Sequence, residues 1–283
     1  PLARSVHATD VDGDGDMDVL SASSNDDKIA WYEQDGSPFF ENTYVPDDNF
    51  EQKLIDLGYD DVLDDYVLTE NISGVAFLDV NYMEIIDLTG IEDFTALVYL
   101  YCRDNQLTSL DISNNTALVY LDLYGNGLTD LDISSNTALV YLDLYGNGLT
   151  DLDISSNTGL EYLNCNDNQL TSLDVSNNTI LDDLRIGHNQ LASLDVSNNT
   201  VLTSLDINGN ELTDLDISNN PELKHLGVSS NNNLTSIDLS ANTALESMNL
   251  YNTGLTDLDV SNNTALYYLE CGYNQLTSLN VSA

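Results

Sequence analysis

Positive charge is scarce in this chain. Its 283 residues include only 6 lysines and arginines against 48 aspartates and glutamates, so the formal net charge is −42. A surface this acidic repels nucleic acid and anionic membranes, which argues against both as binding partners. It suits cations, proteins with basic surfaces or saline water. No run of about 18 apolar residues occurs either, so the sequence predicts no membrane-spanning helix.

Cysteine is also rare, with three in the whole chain. Cys102, Cys165 and Cys271 occupy equivalent positions of a repeated sequence, where other copies carry leucine or isoleucine. The first two are three copies apart, which is roughly 14 Å if the copies stack at the spacing of β-strands. A disulfide cannot span that distance. We therefore expect core thiols in leucine positions.

Recognisable catalytic arrangements are missing. The three histidines, His7, His188 and His225, are isolated, and the sequence contains no GxSxG, HExxH or phosphate-loop motif. Pairs of carboxylates of the kind that glycosidases use are abundant, but they recur in every repeat, which is typical of a scaffold. We expect the chain not to be an enzyme.

What the chain has in abundance is a regular repeat. From Leu97 to Leu266 a leucine returns every 21 residues, with one step of 22 near Ser229 to Asn233. Such a fixed period is typical of a solenoid, in which each coil contacts only its neighbours. Two asparagines also return in each copy, and asparagine at a turn can bond the backbone of the adjacent coil. We expect both columns to be structural: Asn105, Asn126, Asn147, Asn168, Asn189 and Asn210, and Asn115, Asn136, Asn157, Asn178, Asn199 and Asn220.

One copy, residues 139–159, reads LVYLDLYGNGLTDLDISSNTG. It carries the pattern LxxLxLxxNxL, and the chain resembles the leucine-rich repeat family, in particular its 21-residue bacterial class. The two halves of each copy are alike, which implies two short strands per coil and two parallel sheets with apolar side chains inside. The expected fold is a β-dominated leucine-rich repeat solenoid over residues 78–283.

Residues 38–77 are expected to form a linker and a helical N-terminal cap. An aspartate at position 47 or 48 can cap a helix that Gly58 ends, and apolar residues between them follow helical spacing. Similar helices precede the repeats of secreted Bacteroidota proteins, and this resemblance implies export. Four aspartates that follow form either a second cation site or a solvated loop: Asp60, Asp61, Asp64 and Asp65.

Residues 1–37 carry a different pattern, in which aspartates alternate through a glycine-containing turn. An EF-hand would need glutamate where the chain has Ser21. The run resembles instead the DxDGDGxxD calcium loop of an FG-GAP or VCBS-type β-propeller blade, with strands at residues 17–22 and 28–33. The alternative is a solvated acidic turn. The resemblance implies a partial blade that binds structural Ca²⁺ through Asp10, Asp12, Asp14, Asp16 and Asp18.

Two further features lead us to expect a piece of a longer protein. One blade cannot close a propeller of about four to eight blades. The chain also starts at Pro1 without methionine or signal peptide, and stops at Ala283 part-way through a repeat.

Function should lie on outward positions, because the inward ones are occupied by packing. The first sheet presents many tyrosines with aspartates between them, which resembles a recognition surface. The alternative is that tyrosine is simply a good strand former that stacks on its neighbours. The predicted ligand-binding residues are Tyr99, Tyr101, Tyr120, Asp122, Tyr124, Tyr141, Asp143, Tyr145 and Tyr162.

The second half of each copy presents an aspartate column, which holds either hydrated carboxylates or lodged cations. Like charges this close repel, unless each carboxylate accepts bonds from nearby turn amides. The column consists of Asp111, Asp132, Asp153, Asp174, Asp195, Asp216, Asp238 and Asp259.

The sequence thus favours a non-catalytic ligand-binding or adhesion segment of a secreted or cell-surface protein. Its ligand would be a polysaccharide or a protein, bound through the tyrosine-rich face. The alternative function is a structural spacer or stalk that presents other domains. The close match between residues 118–137 and 139–158 favours the spacer, because recent duplication lengthens a rod without tailoring a site.

Overall fold

The structure is a computed structural model. It describes the backbone of residues 3–9, 18–23 and 29–32, and residues 41–282 with their side chains. The chain forms two compact units that divide between Glu41 and Asn42. In the described part of the chain, no helix is both long and apolar enough to cross a bilayer.

The first unit contains a three-stranded antiparallel sheet in the order β1 (Ala3–Thr9), β2 (Asp18–Ser23) and β3 (Ile29–Tyr32). The bounds of β2 and β3 lie within one residue of the two strands that the sequence predicted. The loop that the calcium resemblance concerns connects β1 to β2. Four of the five predicted ligands lie outside the described residues: Asp10, Asp12, Asp14 and Asp16. Of the fifth, Asp18, the structure describes the backbone, which begins β2.

The second unit begins with a short antiparallel pair, β4 (Asn42–Tyr44) and β5 (Tyr66–Leu68), on either side of helix α1 (Asp48–Asp56). The helix begins there because Oδ1 of Asp47 accepts the amides of Asn49 and Phe50, at 3.0 and 3.1 Å. It ends before Gly58, whose φ of 77° suits glycine far better than any other residue.

Helix α1 contributes its apolar face to the core. Phe50 and Leu54 are fully buried, and the ring of Phe50 lies 6.2 Å from that of Phe94. The third apolar residue of the predicted stripe, Leu57, is 43% exposed. A four-residue helix, α2 (Thr69–Ile72), follows β5 and buries Ile72.

The repeats build one parallel sheet of ten strands, each three residues long and in register with the next. The structure is therefore a parallel-sheet solenoid of about ten turns. Its strands are β6 (Phe77–Asp79), β7 (Tyr99–Tyr101), β8 (Tyr120–Asp122), β9 (Tyr141–Asp143), β10 (Tyr162–Asn164), β11 (Asp183–Arg185), β12 (Ser204–Asp206), β13 (His225–Gly227), β14 (Ser247–Asn249) and β16 (Tyr268–Glu270).

The core is a continuous column of leucine, isoleucine and valine side chains from both halves of each coil. Cys102 and Cys165 are fully buried within it, and Cys271 is partly buried. Burial raises the pKa of both Cys102 and Cys165 to about 12, so both are neutral thiols. The predicted use of cysteine as a core residue is confirmed at these two positions.

The expected second parallel sheet is wrong for most of the chain. Within the described residues, the second half-repeats pair as strands only between β15 (Asp257–Asp259) and β17 (Ser278–Asn280). Two successive turns follow the second half-repeats. The amide of Asn136 donates to the carbonyl of Ile133 and that of Leu139 to the carbonyl of Asn136, and the coil that contains β15 makes the same turns.

The first asparagine column ties each coil to the coil before it. Nδ2 of Asn189 donates to the carbonyl of Cys165 in the preceding coil at 2.9 Å, and to Ile186 in its own coil at 3.2 Å. Its Oδ1 accepts the amide of Leu170 at 2.9 Å. Asn126 and Asn168 make the same set, and Asn105 likewise bonds the carbonyl of Val80 and the amide of Ile85 in the coil before it, so the predicted structural role is confirmed.

The second column makes a simpler set of bonds. Nδ2 of Asn199 donates to the carbonyls of Val175 and Asn178, at 3.0 and 2.8 Å. All six predicted members are buried. The column continues through Asn242 and Asn263, which make equivalent bonds.

The 22-residue step and the missing asparagine that follows it are coupled. In other coils the amide at the position of Leu234 donates to Oδ1 of the column asparagine in the next coil, as Leu212 does to Asn231. In the coil after Leu234, that asparagine is replaced by Thr253. The inserted residue lets the amide of Leu234 bond the carbonyl of Asn231 at 3.0 Å instead. Thr253 itself remains buried and donates to Oδ1 of Asn274 at 2.5 Å. The solenoid therefore continues without a break.

Candidate binding face

The outward side of the ten-stranded sheet carries a column of stacked tyrosines. The rings of Tyr120 and Tyr141 lie 4.1 Å apart and 6° from parallel. Those of Tyr141 and Tyr162 lie 4.3 Å apart and 1° from parallel. Tyr101 stacks on Tyr120 at 4.7 Å, and Tyr99 lies 6.3 Å from Tyr120 at a tilt. The in-register parallel strands impose this spacing, since equivalent residues of adjacent coils lie about 4.8 Å apart.

A second, shorter column runs beside the first. Tyr124 and Tyr145 stack at 4.6 Å with their planes 7° apart. The guanidinium of Arg103 lies over the ring of Tyr124 at 5.7 Å, and that of Arg185 lies over Tyr162 at 5.3 Å. Each arginine therefore covers the open end of a stack with a cation over a ring face.

The two predicted aspartates of this face are not on its surface. Asp122 is fully buried and Asp143 is 3% exposed. Oδ1 of Asp143 accepts the amide of Tyr145 at 3.0 Å. Arg103 forms an ion pair with Asp122 and lies 3.8 Å from Asp143. Both carboxylates thus organise the backbone and the arginine beneath the rings, because a short side chain at this position reaches the amide two residues on.

Burial also sets the ionisation of this face. Loss of hydration raises the pKa of Asp122 and Asp143, although hydrogen bonds and Arg103 oppose the shift. Burial between its neighbours raises the pKa of Tyr141, and a bond to Asp167 raises that of Tyr145 to about 12. The hydroxyls of Tyr141 and Tyr145 are therefore protonated, so they can donate as well as accept hydrogen bonds.

The character of the sheet changes after β10. The equivalent positions carry Asp183, Ser204 and His225, and Nδ1 of His225 lies 2.9 Å from the hydroxyl of Ser247. Aromatic rings return near the last strands, where Tyr268 is 52% exposed. The structure thus brings all seven predicted tyrosines together on one half of the sheet: Tyr99, Tyr101, Tyr120, Tyr124, Tyr141, Tyr145 and Tyr162.

Sequence reasoning missed three members of this face. Phe77 precedes the first predicted tyrosine, and its ring lies 5.4 Å from that of Tyr101. Arg103 and Arg185 sit at outward positions among the tyrosines, but only the structure places them over ring faces. The sequence did carry a signal for the arginines. The repeats contain only two arginines, and both occupy outward positions in or beside the tyrosine-rich coils.

The aspartate column of the second half-repeats is stabilised by local bonds. In all eight coils Oδ1 of the aspartate accepts the amide of the serine two residues on, as between Asp174 and Ser176 at 2.9 Å. The prediction that turn amides bond these carboxylates, and so offset their mutual repulsion, is therefore confirmed. Hydrogen bonds from the side chain and the amide of this serine lower the pKa of each of the eight carboxyls.

Replacing three members of this column should flatten the acid limb of the stability curve. A lowered folded-state pKa adds stability that is complete above the ordinary value of about 3.9 and is lost as pH falls through the folded value. In a D132N/D153N/D174N variant, the urea midpoint should fall less steeply than in wild type as pH drops below about 4. Equal slopes in the two proteins would contradict this linkage.

Comparison with known proteins supports the repeat and the fold. Residues 95–136 match the family model described as leucine rich repeats, in two copies. The solved structure of a leucine-rich repeat protein from Leptospira interrogans has a TM-score of 0.68 at 24% identity, covering 75% of this chain and 61% of that one. Residues 95–136 are therefore leucine-rich repeats, and the parallel solenoid has the fold of the Leptospira protein.

Two further relatives are similar over smaller parts. Internalin J of Listeria monocytogenes is 41% identical over 74 residues, which are 26% of this chain and 8% of that protein. The leucine-rich repeat ectodomain of a plant membrane receptor kinase from Arabidopsis thaliana has a TM-score of 0.61 at 24% identity, covering 66% of this chain and 25% of that one. The chain thus spans only a small part of either relative.

Proposed function

We propose that this chain is a non-catalytic binding or adhesion segment of a secreted or cell-surface protein, and that it binds another protein through the tyrosine columns. The observation that carries the proposal is the ordered stack of Tyr120, Tyr141 and Tyr162, partly exposed on the outward side of the ten-stranded sheet. Aromatic side chains that are already fixed lose little conformational entropy on binding, which favours affinity.

The direction of the rings favours a protein over a polysaccharide. Each inner ring has a neighbouring ring on both faces, and Arg185 covers the outer face of Tyr162. A sugar therefore has no open ring face in this stack on which to lie. What the columns present is ring edges and hydroxyl groups, which suit the hydrogen-bonding and apolar groups of a protein surface.

Charge further limits the partner. The chain carries −42 overall, and the arginines of the array are engaged with rings and aspartates. Long-range attraction therefore selects a partner with a basic surface. The relation to internalin J and the plant receptor ectodomain is consistent with recognition outside the cell, since the latter was solved in complex with Casparian strip integrity factor 2.

The finer resemblances belong to the same proposal. An export route of the Bacteroidota type, a repeat of the 21-residue bacterial class and a calcium-binding FG-GAP or VCBS-like blade would together describe a modular surface protein. The blade would hold structural Ca²⁺ through the five aspartates of residues 10–18, and the helix α1 would cover the first coil.

Substitution of the hydroxyl groups tests the mode of binding. A Y120F/Y141F/Y162F variant keeps the stack but removes three hydroxyls, and a Y120A/Y141A variant removes two rings. Both would be probed with an array of purified extracellular proteins and soluble polysaccharides. We expect a protein bound by wild type to lose about tenfold in affinity with the phenylalanine variant and more with the alanine variant.

The matched control is Y251F, which changes a partly exposed tyrosine away from these columns. It should bind as wild type does. A protein ligand that both Tyr120 variants retain would move the site to another surface. The absence of any ligand for wild type would favour the spacer, and a polysaccharide that only the alanine variant loses would replace the protein as partner.

A further inference from the structure

Three carboxylates converge beside the first turns of α1. One oxygen from each of Asp48, Glu51 and Asp65 lies within 4.8 Å of the others. Calcium takes oxygen ligands at about 2.3–2.6 Å, so two ligands of one ion lie at most about 5 Å apart. The spacing of these three oxygens is therefore that of ligands around a single ion.

The buried member of the group provides an independent observation. Glu51 is fully buried, and its Oε1 accepts the amides of Asp64 and Tyr66 at 2.9 and 3.1 Å. Its Oε2 is also buried, yet it has no hydrogen-bond partner among the described residues. A buried carboxylate oxygen without a partner is strongly unfavourable. Something that interacts with this oxygen is required.

The rest of the described chain does not supply it. Its ion pairs involve only Arg103 and Arg185, which lie far along the sequence on the repeats. The neighbouring carboxylates, Asp48 and Asp65, are exposed and add negative charge beside Glu51. A cation at this place would both satisfy Oε2 and neutralise the three carboxylates.

We propose that Asp48, Glu51 and Asp65 bind a divalent, oxygen-seeking cation of the calcium type. Calcium fits better than magnesium, because it tolerates irregular coordination by several carboxylates with water in the remaining positions. Asp48 and Asp65 face solvent, so water can complete the shell. This site is distinct from the aspartate loop of residues 10–18 and does not depend on the ligand of the tyrosine columns.

The position of the ion gives it a structural role. Asp48 and Glu51 belong to α1, and Asp65 directly precedes β5. The amides that Glu51 holds also lie at the start of β5. The ion therefore fastens the helix to the strand across the loop of residues 57–64. Removing it should loosen that loop and lower the thermal stability of this end of the second unit.

Calorimetric titration of the full chain with calcium chloride tests the site. A D12N/D14N background removes the other predicted calcium loop. In this background we expect one class of site, whose affinity falls about tenfold or more in E51Q because a charged ligand is lost. The glutamine keeps an oxygen for the amides of Asp64 and Tyr66, so the fold should persist. D65N is a second variant that leaves Glu51 in place.

The matched control is E70Q, which removes an exposed glutamate from α2. It should bind calcium as its parent does. Calcium should raise the melting temperature of the parent and of E70Q, but not that of E51Q or D65N. Unchanged affinity in both E51Q and D65N, or an absence of calcium binding in the D12N/D14N background, would overturn the proposal.

Discussion

Asn189→Ala is expected to lower the free energy of unfolding by about 3 kcal/mol. The substitution removes the donor that bonds the carbonyls of Cys165 and Ile186, and the acceptor that bonds the amide of Leu170. That amide has no other hydrogen-bond partner in the described structure. Leaving a buried amide unpaired costs more than losing an exposed hydrogen bond.

The chain itself supports this expectation. Where Thr253 replaces the asparagine, an inserted residue lets the corresponding amide of Leu234 bond the carbonyl of Asn231. No such insertion exists beside Asn189. The control is Asn198→Ala, because Asn198 is exposed and makes one long bond of 3.4 Å to Ser176. Chemical denaturation should separate the two variants clearly, and equal stability would contradict the role of the column.

Asp47→Ala should cost roughly 2–3 kcal/mol. Oδ1 of Asp47 caps α1, while Oδ2 accepts the amides of Ile86 and Asp87 at 2.8 and 3.1 Å. One carboxylate thus joins the helix to the loop before the first full repeat, and it is 7% exposed. Its loss leaves amides of both elements without partners.

Two further variants serve as comparisons for Asp47→Ala. Asp47→Asn retains one oxygen, so it can satisfy either the helix or the loop, and about half of the loss should remain. Asp61→Ala removes an equal charge from an exposed position and should change stability by less than about 0.5 kcal/mol. Hydrogen exchange should show that Asp47→Ala increases the exchange of α1 and of residues 86–87 first. Uniform changes along the solenoid would argue against a local link.

Periodic features could be predicted because they recur. The leucine period and the two asparagine columns could be recognised as structural, because a residue that every coil needs recurs at the same position of each repeat. The helix α1 followed from an N-cap, an apolar stripe and Gly58. The error over the second sheet arose because the two half-repeats share a pattern of apolar residues, although the second halves pair as strands only between β15 and β17 in the described residues.

The candidate sites were predictable only in part. Outward tyrosines can be identified from the repeat, but their ring planes and the arginines that cover them depend on side-chain conformation. Asp122 and Asp143 occupy outward positions in sequence, yet the structure buries them under Arg103 and the rings. Of the cluster Asp48, Glu51 and Asp65, only Asp65 belongs to the acidic loop that the sequence offered as a cation site, because the other two lie on α1.

The sequence by itself determined the solenoid, its inward residues, the asparagine columns and the acidic aspartate column. Each depends on spacing along the chain, because residues one repeat apart become neighbours when the coils stack. Tertiary structure alone decided which side pairs as a sheet, which faces of the tyrosines are covered and which carboxylates meet. Those outcomes depend on distances between different coils and elements, and on how each buried polar atom finds a partner.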